Sequence, residues 1–302
     1  MSFISSIVCL IGFFGFLRFL WYVFKIVYTY KSQPKNLKDK NIKWALITGA
    51  SSGVGYELAL KIADQGVNVI AIGRSKERLS KLENDVKSKN VNFFKLSVDF
   101  SDYQATTQVF PQIKAEIADQ IGALFICHGE SSIKPIEDFT DDEIEKYNNS
   151  HITSNVIIAR DFVKQGGQIL SVMSSANSFI TTPYATQYGC VKRWMNSFYH
   201  ILSFEVNTSI QIINSGFIKD TQFFSNIPSS LKSFSDPPSY ALTPGRVADM
   251  LLATVGTGFE VDVGYDTILY RCLFWVLPPQ VTDMIFRIIG NQISAGLKEK
   301  TE

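Results

Sequence analysis

Three polar residues in the second half of the chain have the types and spacing of a proton-transfer site. Ser175 follows an apolar run, and Tyr188 comes thirteen positions later in a Tyr-Gly-Cys-Val-Lys segment that ends at Lys192. On a helix, residues four apart lie on one face. A nearby ammonium group favours the phenolate form of a tyrosine and brings its pKa from about 10 toward a useful range. The spacing therefore predicts that Tyr188 transfers a proton to or from a substrate oxygen that Ser175 holds by a hydrogen bond.

A glycine-rich segment near the start of the chain has the spacing of a phosphate-binding turn. Thr48 is followed by Gly-Ala-Ser-Ser-Gly-Val-Gly, and a helical pattern begins directly afterwards. Glycine permits a tight turn and lets backbone amides approach a pyrophosphate, while the N-terminal end of the helix attracts the anion. The predicted dinucleotide-binding residues of this turn are Gly49, Ser51, Ser52, Gly53, Val54 and Gly55.

Basic residues after the second apolar run indicate which dinucleotide is bound. Arg74 ends an Ile-Gly-Arg segment, and Arg78 follows one helical turn later. A carboxylate at this place would accept hydrogen bonds from a free ribose, whereas a guanidinium pairs with a 2′-phosphate. The predicted cofactor is therefore NADP(H) rather than NAD, although Arg74 could instead only cap a helix. Asp99, just after the third apolar run, is placed to accept a bond from the adenine amino group.

The elements that must position these residues alternate along the chain. Short apolar runs rich in β-branched residues alternate with stretches that carry apolar residues at spacings of three and four. The first pattern is typical of strands buried on both faces of a parallel sheet, and the second is typical of crossover helices. Together they predict an α/β fold with a single Rossmann-like, doubly wound parallel sheet. The apolar runs are residues 43–48, 67–73, 91–98, 123–127, 168–173 and 209–214.

Composition excludes several classes of protein. The 302 residues include 29 Lys and Arg against 28 Asp and Glu, and a net charge of +1 gives no long-range field to attract a nucleic acid. An apolar fraction of 46% argues against disorder. The four cysteines form no Cys-x-x-Cys pair and only three histidines are present, so neither a metal site nor a disulfide framework is predicted.

The N-terminal segment has the length and composition of a transmembrane helix. In residues 3–24 a single charged residue, Arg18, interrupts the apolar run, and at about 1.5 Å per residue such a helix crosses a hydrocarbon core of roughly 30 Å. No basic residue precedes the run and no cleavage site of small residues follows it, which favours a retained anchor over a signal peptide. Six lysines and one aspartate between Lys25 and Lys43 place the rest of the chain in the cytosol. A helix lying on the membrane surface is the alternative.

A second apolar region lies near the C-terminus. Residues 268–290 form two apolar pieces on either side of Pro278 and Pro279, and each piece is too short to span a bilayer. They are predicted to dip into the membrane at the mouth of the substrate cleft, and a pair of dimer or core helices is the alternative. The predicted divisions are an anchor (1–30), a basic linker (31–42), a catalytic domain (43–265) and a membrane-associated helical tail (266–302).

The motifs together resemble the short-chain dehydrogenase/reductase family over about residues 42–265. The resemblance implies a sheet of about seven strands with a dinucleotide bound across its carboxyl edge. It also implies that Tyr188 is the proton donor or acceptor, that Lys192 holds the nicotinamide ribose, and that Ile218 and Thr221 contact the cofactor. Members of the family often form dimers through two long helices, which correspond here to residues around 102–120 and 140–165.

Three places depart from the family's pattern. Residues 126–129 read Ile-Cys-His-Gly where the family usually has Asn-Asn-Ala-Gly. The counterpart of the asparagine that usually completes a proton relay is His151, with Asn149 as the alternative if the helix is shifted, and a histidine can still pass a proton through water. Ser215 stands in place of the usual proline after the sixth strand, and Thr221 lies one place later than the family's threonine.

The surroundings of the site indicate the substrate. An anchor, a cytosolic site and NADPH together predict reduction of a lipid ketone at the endoplasmic reticulum membrane. Within the family, the anchor, the Cys-x-Gly segment that ends at Gly129 and the apolar tail are most similar to the 3-ketodihydrosphingosine reductases, which implies a step of sphingolipid synthesis that yields dihydrosphingosine. Hydroxysteroid dehydrogenases and 3-ketoacyl reductases of the same family are alternatives, and so is a nucleotide-binding scaffold without catalysis.

Overall fold

Seven parallel strands form the sheet that the alternating pattern predicts. The computed structural model describes residues 3–221, 223, 237–258 and 260–298. The strand order is β3-β2-β1-β4-β5-β6-β7. All six apolar runs are strands, and the seventh strand escapes the pattern because two of its four residues, Glu260 and Asp262, are acidic. The strands are β1 Trp44–Thr48, β2 Asn68–Gly73, β3 Phe93–Ser97, β4 Ile121–Ile126, β5 Ile169–Ser175, β6 Ser209–Ser215 and β7 Glu260–Val263.

Helices cover both faces of this sheet. One apolar layer lies between the sheet and helices α2, α3 and α9, and a second lies between the sheet and helices α5, α7 and α8. Such burial on both faces explains why the strands are almost continuously apolar. The helices of the described residues are α1 Phe3–Lys31, α2 Gly53–Asp64, α3 Lys76–Lys87, α4 Tyr103–Thr107, α5 Val109–Glu116, α6 Asp141–Asn148, α7 Ser154–Lys164, α8 Thr186–Leu202, α9 Pro244–Thr254, α10 Tyr265–Val276 and α11 Pro279–Lys298.

The strand order reverses next to β1, and this reversal fixes where a ligand can bind. β1 pairs with β2 on one side and with β4 on the other, so that Thr48 lies opposite both Ile72 and Ile126. The crossovers that leave β1 and β4 run to opposite sides, which opens a crevice at their carboxyl ends. The predicted cofactor turn follows β1 directly and therefore lies at this crevice.

Helix α1 has two parts with different surroundings. Large apolar side chains are exposed along residues 3–21, and α1 is long and apolar enough to be a candidate membrane span. Farther along, Tyr22 and Thr29 are buried against the rest of the chain. The Gly264 N–H donates to the Tyr30 hydroxyl at 3.0 Å, and Arg246 donates to the Tyr30 carbonyl at 3.1 Å. The exposed and the buried part of α1 therefore belong to one continuous helix.

The basic segment after α1 is packed against the domain. Leu37 is completely buried, and its N–H donates to the side-chain oxygen of Gln65 at 2.9 Å. The Lys35 N–H donates to the Leu252 carbonyl at 3.2 Å, and its ammonium donates to the Val255 carbonyl at 3.0 Å. Residues 31–42 thus attach the end of α1 closely to α9 and to the end of α2.

The C-terminal helices α10 and α11 are the two apolar pieces expected around the proline pair. They meet at Leu277 and Pro278, and the rings of Phe274 and Phe286 lie 5.8 Å apart across this turn. Trp275 at the end of α10 contacts α1, because its ring lies 4.8 Å from that of Tyr22. The turn between the two helices is therefore beside α1.

A π-helical turn, Asn149–Thr153, joins α6 to α7 around a buried histidine. His151 is 2% exposed, and its Nε2 accepts the Glu130 N–H at 3.1 Å. Its Nδ1 lies 3.0 Å from the Tyr147 carbonyl oxygen. Because Nε2 is an acceptor, the ring proton is on Nδ1. Burial, followed by the charge of Lys192, lowers the pKa of His151 to about 3, so the ring is neutral at pH 7.

This neutral histidine makes stability depend on pH. In the unfolded chain its pKa is about 6.5, so the unfolded state takes up a proton first as the pH falls. The contribution of His151 is fully present above pH 6.5, and we expect about 2 kcal/mol of unfolding free energy to be lost between pH 7.5 and pH 5. Denaturant unfolding of the full chain in detergent at both pH values measures this loss. Burial also lowers the pKa of His128 to about 3, so part of the measured loss remains when His151 is replaced. His151→Asn should therefore reduce the loss by about 2 kcal/mol, and the exposed His200→Asn should leave it unchanged. Equal pH dependence in all three proteins contradicts the assignment.

Candidate active site

Ser175, Tyr188 and Lys192 meet at the carboxyl end of β5. Ser175 is the last residue of that strand, and the other two lie on the first two turns of α8. The Ser175 side chain lies near the Tyr188 phenol and acts to lower its pKa, and the ammonium of Lys192 lies 5.8 Å from the centre of the Tyr188 ring. All three residues are buried and line one cavity. The structure thus brings together the three residues that the spacing singled out.

Local structure explains how these side chains come to face each other. The buried face of α8 includes Tyr188, Val191, Lys192, Met195 and Tyr199, which repeat at spacings of three and four. Burial of this apolar stripe against the sheet fixes the rotation of the helix, so the tyrosine and the lysine both point toward the end of β5. On the strand side, the Asn177 N–H donates to the Ser175 hydroxyl at 3.3 Å and orients it.

Burial sets the charge of the two groups on α8. Removal from water lowers the pKa of Lys192 to about 8, against a small opposite effect of Cys127. Its ammonium donates to the Met173 carbonyl at 2.9 Å. Removal from water raises the pKa of Tyr188 to about 12, and the hydrogen bond with Ser175 acts in the opposite direction. Burial thus outweighs the lowering expected from the lysine, and the site at pH 7 holds a neutral phenol, which is the form that can donate a proton.

His151 lies beside this group, and Asn149 does not. A methyl group placed at Gly129 would lie 3.7 Å from both the Nε2 of His151 and the ammonium of Lys192. Of the two candidates for the relay position, His151 is among the residues that line the cavity. Both of its ring nitrogens are engaged by the backbone of neighbouring segments, and Asn155 donates to its carbonyl oxygen at 2.8 Å.

Close approach of the backbone explains the glycines of the turn after β1. Gly49 has a φ of +68°, and a Cβ there would lie 2.7 Å from the His128 nitrogen. A Cβ at Gly55 would lie 2.4 Å from the Gly49 carbonyl oxygen. Glycine is therefore required at both positions. The predicted turn residues line the cavity together, at the N-terminal end of α2: Gly49, Ser51, Ser52, Gly53, Val54 and Gly55.

The residues predicted to bind the adenosine half also line this cavity. The N-cap of α3 is Ser75, whose hydroxyl accepts the Arg78 N–H, so Arg74 does not serve as the cap. The guanidinium of Arg74 lies 3.3 Å from the carboxylate of Glu130 and is largely exposed. One carboxylate oxygen of Asp99 accepts the N–H and the hydroxyl of Ser101, which leaves the other oxygen for a ligand.

One cavity of about 1130 Å³ joins all of these residues. It begins at the glycine-rich turn, passes Tyr188, and reaches the apolar side chains of α10 and α11, including Leu273, Phe274 and Ile289. Ile218 and Thr221, which the resemblance places at the cofactor, lie in its wall, and the Thr221 hydroxyl donates to the Ile218 carbonyl at 3.2 Å. The cavity is thus polar at one end and apolar at the other.

Three lining residues are not among those predicted from the sequence. Asn177 holds the Ser175 hydroxyl and accepts a hydrogen bond from Thr182 at 2.5 Å. Glu130 faces Arg74 across the crevice. The carboxylate of Asp266, at the start of α10, accepts the Phe217 N–H at 2.8 Å and so holds the loop after β6. Only the Ser-x-Asn spacing next to β5 could have indicated one of them, because the other two contacts join segments far apart in the chain.

Comparison with known proteins gives evidence that is independent of this geometry. The family model described as short chain dehydrogenase matches residues 43–232. A very-long-chain 3-oxoacyl-CoA reductase-B of Danio rerio is 26% identical over 225 residues, which is 71% of this chain and 69% of that protein. A hydroxysteroid dehydrogenase-like protein 1 of Gallus gallus is 28% identical over 173 residues, or 54% of this chain. That match covers 51% of the chicken protein, about half of its length.

Solved structures agree on the fold. A 7beta-hydroxysteroid dehydrogenase superposes with a TM-score of 0.71 at 23% identity, and the match covers 85% of this chain and 100% of that one. The matched family segment includes the glycine-rich turn, the end of β5 and the first turns of α8, which are the parts that form the site described above. The chain therefore belongs to the short-chain dehydrogenase family.

Proposed function

We propose that the protein reduces the ketone of a membrane lipid with NADPH as the hydride donor. The observation that carries this proposal is the single cavity that runs from the glycine-rich turn, past Tyr188, to the apolar side chains of α10 and α11. A polar end suits a dinucleotide, and an apolar end suits a long hydrocarbon chain. The relatives named as a very-long-chain 3-oxoacyl-CoA reductase and a hydroxysteroid dehydrogenase-like protein support a substrate of this class.

The polar end of the cavity fits NADPH, which supplies a hydride when bound. The N-terminal end of α2 and the close-packed glycines offer backbone amides to a pyrophosphate. Arg74 and Arg78 stand at the end of β2, where the ribose next to adenine would lie. The exposed ion pair between Arg74 and Glu130 is weak, so a 2′-phosphate with two negative charges can take its place.

The proton comes from Tyr188 in this proposal. The neutral phenol donates to the ketone oxygen, and the Ser175 hydroxyl donates a second hydrogen bond to the same atom. Lys192 remains a cation at neutral pH, since its pKa is about 8, and it stabilises the phenolate that remains. For His151 the hydrogen bonds favour a positioning role over a relay through its ring, because both nitrogens already hold backbone groups around Lys192.

We further propose that α10 and α11 bring the mouth of the cavity to the membrane. Trp275 contacts Tyr22, and the centre of its ring lies 4.5 Å from the guanidinium of Arg18. Arg18 lies one helical turn before Tyr22, in the apolar part of α1. Val276 and Met284, on either side of the turn between α10 and α11, are exposed. An apolar surface at the level of Arg18 on α1 suits the boundary between headgroups and acyl chains, from which a lipid could enter the cavity. The six lysines of residues 25–43 support a catalytic domain on the cytosolic side. The membrane of this proposal is that of the endoplasmic reticulum.

The preferred substrate in this proposal is 3-ketodihydrosphingosine, which carries its ketone near the polar end of a long chain. A 3-ketoacyl thioester shares that feature, and the Danio rerio relative specifically favours it as the second candidate. Both would place the carbonyl at Tyr188 and the chain between α10 and α11. A homodimer is compatible with either substrate, and it remains an expectation from the family resemblance.

Removal of the phenolic hydroxyl tests the chemical step. Tyr188→Phe should lower the rate of ketone-dependent NADPH oxidation by at least about 100-fold, because a general acid contributes that much or more. NADPH affinity, measured by quenching of protein fluorescence, should change less than twofold. Tyr103→Phe, which removes an exposed phenol on α4, is the matched control. Full activity of Tyr188→Phe contradicts the proposed mechanism.

Selectivity for the phosphorylated cofactor tests the role of Arg74. Arg74→Ala should weaken NADPH binding by about 10-fold to 100-fold, as expected when a charged hydrogen bond to a phosphate is lost. NADH binding should change little, because NADH lacks the 2′-phosphate. Arg160→Ala on α7 removes an exposed, ion-paired arginine and should affect neither cofactor. Equal losses for NADPH and NADH in Arg74→Ala would show that this side chain does not recognise the phosphate.

A substrate panel separates the candidate activities. Full-length protein in lipid nanodiscs would be offered 3-ketodihydrosphingosine, a long-chain 3-oxoacyl-CoA and a ketosteroid, with NADPH oxidation and product mass as readouts. We expect the highest kcat/KM with 3-ketodihydrosphingosine, and cells that lack the protein should accumulate this compound. If the activity is higher with the thioester or the steroid, that compound becomes the preferred substrate instead. NADPH binding without oxidation in the presence of any ketone identifies a scaffold.

A further inference from the structure

A buried carboxylate on the last strand joins α1 to the sheet. Asp262 is 7% exposed, and it accepts a hydrogen bond from the Tyr22 hydroxyl of α1 at 2.8 Å. Arg271 of α10 donates to both of its oxygens, at 2.9 and 2.8 Å. The side-chain amide of Asn214, on β6, donates to it at 3.1 Å. The membrane helix, the C-terminal helices and the sheet thus share one carboxylate.

The same network continues to the catalytic turn. Asn214 is completely buried, and its side-chain oxygen accepts hydrogen bonds from the Ser178 hydroxyl at 3.1 Å and from Asn196 at 2.9 Å. Ser178 ends the short 3-10 turn that begins directly after Ser175. Asn196 lies on α8, one turn beyond Lys192. Two branches therefore lead from Asn214 to the elements that hold the proposed catalytic groups.

Loss of the Tyr22 hydrogen bond would affect the residues along this path. Without the phenol, the oxygen of Asp262 that accepts it keeps only the Arg271 bond, so the carboxylate would draw closer to Arg271 and shift relative to Asn214. Strand register places Asn214 directly opposite Asp262 on one side and Ser174 on the other. A shift of Asp262 therefore acts first on Asn214, and Asn214 is what holds Ser178.

We infer that α1 is part of the active-site architecture as well as an anchor, and that Tyr22 is a positioning residue. It acts through Asp262 and Asn214 on the turn that follows Ser175. The inference rests on the proposed function only in that Ser175 is taken to orient the substrate carbonyl.

Hydrogen exchange measured by mass spectrometry tests the inference without a substrate. The proteins are the full chain, Tyr22→Phe and Tyr28→Phe, each in detergent micelles with NADPH. Tyr22→Phe keeps the ring that packs on Trp275 and loses only the hydroxyl. We expect amides in residues 174–180 to exchange about tenfold faster in Tyr22→Phe, as for loss of a hydrogen bond to a charged group, and to be unchanged in Tyr28→Phe. Unchanged exchange in Tyr22→Phe overturns the inference.

A double-mutant cycle separates positioning from a general loss of stability. Ser178→Ala cuts the same path at its other end and should give a similar increase in residues 174–180. If Tyr22 acts through Ser178, the double variant should exchange no faster there than Ser178→Ala alone. Additive increases, or a parallel increase in the distant strand β3, would assign the effect of Tyr22 to overall stability and overturn the inference.

Turnover provides a second and distinguishable readout. If the wild-type chain oxidises NADPH with 3-ketodihydrosphingosine, Tyr22→Phe should lower kcat about tenfold and leave the KM for NADPH unchanged. An unchanged kcat overturns the inference even if the proposed substrate is correct. If the wild-type chain reduces none of the ketones offered, the proposed function fails, and the exchange experiment alone decides the role of Tyr22.

Discussion

A buried ammonium group is the interaction on which the site depends. Lys192 is 4% exposed, and within the described residues its charge is met by a backbone carbonyl of β5 and by no carboxylate in direct contact. Such a charge is costly to bury unless hydrogen bonds compensate for the lost water. The apolar stripe of α8 fixes the position of the lysine, and the end of β5 supplies the carbonyl that accepts its hydrogen bond. As a result, a cation stays beside a neutral phenol, and no carboxylate of the described residues neutralises its charge in an ion pair.

The parts of this site that the sequence could predict are those set by spacing within one element or by adjacent elements. Tyr188 and Lys192 are four apart on one helix, and the glycine-rich turn directly joins β1 to α2, so both follow from local rules. The protonation of Tyr188 did not follow from the sequence. It depends on how deeply the phenol is buried, which only the packing of α8 on the sheet determines.

Contacts between distant segments account for most of what the sequence could not predict. Glu130 meets Arg74 across the crevice, and β7 carries two acids whose partners come from α1 and α10. In the sequence alone, a segment with such acidic residues has the pattern of a polar loop. The buried side of α1 was hidden for the opposite reason: a helix that is apolar all round gives no periodicity to show that Tyr22 faces protein.

The close packing of residues 31–42 has a consequence for kinetics. Because Leu37 and Lys35 attach the end of α1 to the domain, a protein held in a bilayer by this helix keeps its cavity at one height and one tilt. It cannot swing outward to collect molecules from water or from an opposing membrane. Under the proposed reduction of a membrane lipid, its turnover would then follow the mole fraction of substrate within its own leaflet, and dilution of that leaflet with inert lipid would slow it at constant bulk concentration.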